Sequence, residues 1–62
     1  MNQIELIKEA GRKAYIARKQ HDEARCRFHT EWARKAARLE DNPQEALKSF
    51  NEAYKAESDL YR

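Results

Sequence analysis

Asp41-Asn42-Pro43-Gln44-Glu45 is the one strong break in an otherwise helix-compatible chain. Asn42 is a good N-cap, and Pro43 then falls at the first helical position, where its missing N–H costs nothing. Glu45 follows three residues after the cap, within reach of the free amide of Asn42. The break divides the chain into a long arm and a short arm.

Upstream, Asn2 followed by Glu5 resembles a capping box, and no proline intervenes before about Glu40. The lone Gly11 costs roughly 1 kcal/mol relative to alanine, which a helix of this length absorbs. Ile7, Ala10, Ala14, Ala17, His21, Ala24, Phe28, Trp32, Ala36 and Leu39 recur at spacings of three and four, one continuous helical stripe. Ile4, Gly11 and Tyr15 widen it near the start. Downstream, Ala46, Leu47, Phe50, Ala53, Tyr54, Leu60 and Tyr61 give a second amphipathic helix, interrupted at Glu57.

This pattern predicts an all-α fold and a single helical domain over residues 1–62. It reads as a helical hairpin: a long helix over about 3–40, a turn at 41–43 and a short helix over about 43–61, packing as a dimeric bundle. At 1.5 Å per residue the arms reach roughly 57 Å and roughly 28 Å. The short arm then covers only the nearer half of the long one, setting Leu47, Phe50 and Tyr54 against Phe28, Trp32, Ala36 and Leu39. Ile4, Ile7, Gly11, Ala14, Tyr15 and Arg18 are left facing a partner, a homodimer or a larger protein, with Ile16 just off that stripe. A break at Lys19-Gln20-His21-Asp22, with Asp22 as a new N-cap, gives the alternative: a closed three-helix bundle that needs no partner.

Composition narrows the function. A chain of 62 residues is in the range where a single core is marginal without oligomerisation, metal or disulfides. One cysteine, Cys26, excludes an internal disulfide and suits a reducing compartment, so a cytoplasmic location is expected. No apolar run approaches the ~20 residues that span a bilayer, and no signal peptide is evident, so no membrane partner is expected.

Basic residues concentrate early. Residues 1–20 hold five Lys or Arg against two Glu, whereas residues 41–62 hold three against five acidic residues. Lys8, Arg12 and Lys19 share a face and, with Arg27, could track a phosphate backbone. The acid-before-base pairs Glu9–Lys13, Glu23–Arg27 and Glu31–Lys35 favour an ordinary solvated surface instead.

Asp22, Cys26 and His29 lie on one helical face, but three ligands along two turns make a poor tetrahedron, so no metal is expected. Cys26 and His29 lack the orienting group, oxyanion donors and closed pocket that nucleophilic catalysis needs. The expectation is a non-enzyme without catalytic residues, cofactor or small-molecule substrate. His21, on the stripe, is expected to be partly buried; at a dimer seam its protonation would loosen the assembly.

The sequence therefore points to a small protein-interaction module, a regulator, adaptor or inhibitor of the kind phages and mobile elements encode. The alternative is a dimeric helical hairpin that binds nucleic acid, RNA in preference to DNA.

Overall fold

The computed structural model describes residues 3–61. Three helices follow one another: α1 over Gln3–Lys19, α2 over Glu23–Arg38 and α3 over Pro43–Leu60. The Asn2 cap expected at the start lies outside the described residues.

The hairpin is corrected to three helices, because the chain turns sharply at residues 20–22. Asp22 N–H donates to the Ala17 carbonyl at 2.8 Å, and His21 N–H donates to the Arg18 carbonyl at 3.0 Å. His21 itself has φ 60°, the left-handed conformation. These features make a Schellman ending with histidine where glycine usually stands. Asp22 then starts α2 directly, its carboxylate accepting from the Arg25 amide at 3.1 Å. A long helix over 3–40 is thus replaced by two helices that fold back on each other. His21 is exposed rather than part of a buried apolar stripe.

The second turn uses the Asn42 signal. Its side-chain oxygen accepts from the Glu45 amide at 3.2 Å, and Pro43 is the first residue of α3. Gly11 lies against Phe50, Tyr15 against Tyr54 and Lys19 against Tyr61, so α1 and α3 run in the same direction.

The core is made mainly of small side chains. Ile7, Ala10, Ala14, Ala33, Ala37, Ala46 and Phe50 form one buried cluster, flanked by Ile4, Cys26, Ala36, Leu47 and Tyr54. Ile7 is the only large side chain with essentially no exposure among the described residues. Close packing sets this composition. A Cβ on Gly11 would lie 2.5 Å from the Phe50 carbonyl oxygen and 3.3 Å from Ala53 Cβ, so α3 approaches α1 to a distance that only glycine permits.

Two packing expectations are therefore corrected. Ile7, Gly11 and Ala14, expected to face a partner, are buried inside the subunit, with Ile4 packed at the edge of the same core. Phe28 and Trp32, expected to meet α3, are exposed. In α2 the inward positions are Ala33 and Ala37, one step round the helix from Trp32. With α1 and α3 in close contact, little interior volume remains for an indole.

Candidate functional site

The most distinctive surface lies on the outer side of the α1–α2 pair. Phe28 and Trp32 are one turn apart on α2, 63% and 39% exposed. Leu6 and Ile16 on α1 are 38% and 37% exposed. Leu6, Ala10, Phe28 and Trp32 line a shallow groove of about 230 Å³, with Glu9, Lys13 and His29 at its edges. Ile16, Ala17 and Phe28 continue it toward the first turn, beside Gln20 and Arg25. The His29 ring stands nearly perpendicular to Phe28, with centroids 5.4 Å apart.

The charges around this strip are largely paired locally. Lys13 Nζ is 3.9 Å from a Glu9 carboxylate oxygen, and Arg25 Nε is 3.4 Å from Asp22. Both pairs are solvent-exposed and add little stability. Their consequence is that the apolar centre is bordered by mixed rather than single-sign charge.

A second feature lies where α2 faces the end of α1 and Tyr54 of α3. Arg18, Arg27 and Arg34 line a cleft of about 800 Å³ with Cys26, Thr30 and Tyr54. Glu23 and Glu31 share its wall and offset part of the positive charge. Arg18 Nη1 donates to the Tyr54 hydroxyl at 2.8 Å. That bond favours the charged guanidinium and raises its pKa further above the ordinary arginine value.

The remaining residues singled out by the sequence are dispersed. Tyr15 packs edge-on against Tyr54 at 5.4 Å and stacks on Tyr61 at 6.0 Å. Tyr15 and Arg18 thus bind α1 to α3 within the subunit. Lys19 sits over the Tyr61 ring, 4.2 Å from its centroid. Arg27 is in the arginine-lined cleft, whereas Lys8 and Arg12 lie on α1 and do not line it.

Asp22 is occupied as a helix cap, Cys26 is half-buried and His29 lies beside Phe28. Among the described residues no group of three or more His, Cys, Asp or Glu side chains could hold a metal ion. Among them, too, no helix is long and apolar enough to cross a membrane.

Sequence reasoning assigned Phe28 and Trp32 to the core and did not single out Leu6. The available signal was Leu6 and Ile16 together, two large aliphatic residues placed beside the small-residue stripe of α1 rather than on it. No protein-family model matches the chain, and no curated protein or solved structure matches it.

Proposed function

We propose that this protein is a small, non-catalytic interaction module that acts in the cytoplasm by docking the α1–α2 strip on another protein surface. One observation carries this reading: the chain buries alanine and leaves Phe28, Trp32, Leu6 and Ile16 at the surface in one contiguous strip. Scattered exposed apolar residues are ordinary, but a contiguous aromatic and aliphatic patch with a polar border is the composition of an interface centre. Tryptophan and other aromatics also carry a large share of binding energy at such centres. The cytoplasmic placement rests on the unpaired Cys26 thiol, which suits a reducing compartment.

The reading predicts that a photo-activatable phenylalanine analogue at position 28 forms discrete protein adducts in cells. The same group at exposed position 55, on α3, should form none. Equal labelling from both positions would remove the reading.

A second reading rests on the three arginines of the cleft beside Tyr54, which could hold the phosphates of an RNA strand. Its test is binding to mixed-sequence RNA that weakens steeply with salt and is lost in Arg27→Gln/Arg34→Gln. Absence of any shift at low salt would exclude it.

A further inference from the structure

We infer that the surface which covers the α1–α2 strip is the same strip on a second copy of this chain, giving a two-fold symmetric dimer. The inference rests on the docking reading above and names its partner. Three observations lead to it.

The first is area. At ~150–250 Å² per aromatic side chain, the exposed parts of Phe28 and Trp32 contribute roughly 200 Å². Adding Leu6 and Ile16 brings the apolar centre to roughly 350 Å², within the range of functional patches on small proteins. With the stems of Lys13, Arg25 and His29 around it, each copy can supply the ~500 Å² that a specific interface of ~1,000 Å² requires.

The second is charge. A strip that pairs with itself must not set a single-sign border against its own image. Here Lys13 is beside Glu9 and Arg25 is beside Asp22, so the border has both signs. A face selected for a strongly acidic or basic partner would lack that balance.

The third is the geometry of α2. Phe28 and Trp32 are four residues apart on α2 and so project from one face of that helix. An antiparallel two-fold pairing of α2 with its copy brings each Phe28 against the other Trp32, an isologous contact. The interior gives the reason for such a dimer: a bundle whose only large, fully buried side chain among the described residues is Ile7 gains from covering its aromatics.

The test uses the full chain and its single tryptophan, which lies in the strip. Sedimentation equilibrium and Trp32 emission are followed together from low-micromolar to near-millimolar protein. The mass should rise from 7.4 kDa toward twice that value while the emission shifts to the blue over the same concentrations. Phe28→Glu and Ile16→Glu, both at exposed helical positions, should keep wild-type helicity and weaken the dimer at least ~30-fold. Leu60→Glu, at an exposed apolar residue outside the strip, should dimerise like wild type.

A wild-type chain that stays at 7.4 kDa with unchanged emission overturns the inference. So does a dimer that Phe28→Glu and Ile16→Glu leave intact. Position-28 adducts to a different protein, obtained with a monomeric wild type, would overturn the second copy as partner and leave the docking reading standing.

Discussion

The inside of this bundle and its α1–α2 surface differ in the opposite sense from most small domains. Inside, alanines from all three helices meet around Ile7 and Phe50. Outside, the one tryptophan and one of the two phenylalanines stand on α2 beside Leu6 and Ile16. Large side chains are the residues that gain most from burial, at roughly 1.5–3 kcal/mol each for aliphatic and phenylalanine side chains. The proposed docking reading gives these two regions separate jobs. Close helix approach closes the fold, and the apolar surface left over is available for association.

The strongest way to break this division is to disturb the interior. Ile7→Ala should cost about 3 kcal/mol, since Ile7 is fully buried and its truncation leaves a cavity. Gly11→Ala should cost about 2 kcal/mol despite the better helix propensity of alanine, because the new methyl group meets a backbone carbonyl that cannot move alone. Urea unfolding monitored by circular dichroism measures both. Exposed Phe28→Ala, by contrast, should fall within about 0.5 kcal/mol at protein concentrations low enough to exclude association.

Smaller changes sharpen the comparison at the first turn. Asp22→Ala removes the cap of α2 and should cost about 1 kcal/mol. His21→Gly should raise stability by about 0.5–1 kcal/mol, because glycine adopts the left-handed conformation that the turn requires without strain. Thermal midpoints moving in opposite directions for these two variants would locate the turn as described. A rise with Asp22→Ala, or no change in either, would contradict it.

The all-α class was legible because alanine, glutamate, lysine and arginine dominate a chain with one glycine and one proline. Asn42-Pro43 reads as a helix start in the sequence and is one in the structure, since cap and proline act locally. The first turn was less visible. Histidine tolerates positive φ at a modest cost, so no glycine or proline marks the bend, and the apolar stripe runs on through it in phase. Asp22 was recognisable as a cap for the three-helix alternative, but nothing local decided between the two architectures.

The candidate surface was harder still. A stripe drawn through the largest apolar residues of α2 passes along Phe28 and Trp32, whereas the helix buries the neighbouring line of Ala33 and Ala37. The distinction is set by how near α1 and α3 approach, a tertiary distance fixed by Gly11 and the alanines around it. Hydrophobicity alone favours the wrong line.

The most direct test of this inversion is a paired unfolding experiment on Ile7→Ala and Phe28→Ala, both as dilute monomers. The interior-and-surface division predicts a loss of about 3 kcal/mol for the first and a change near zero for the second. Equal losses from the two substitutions would mean that Phe28 belongs to the core and that no free strip exists.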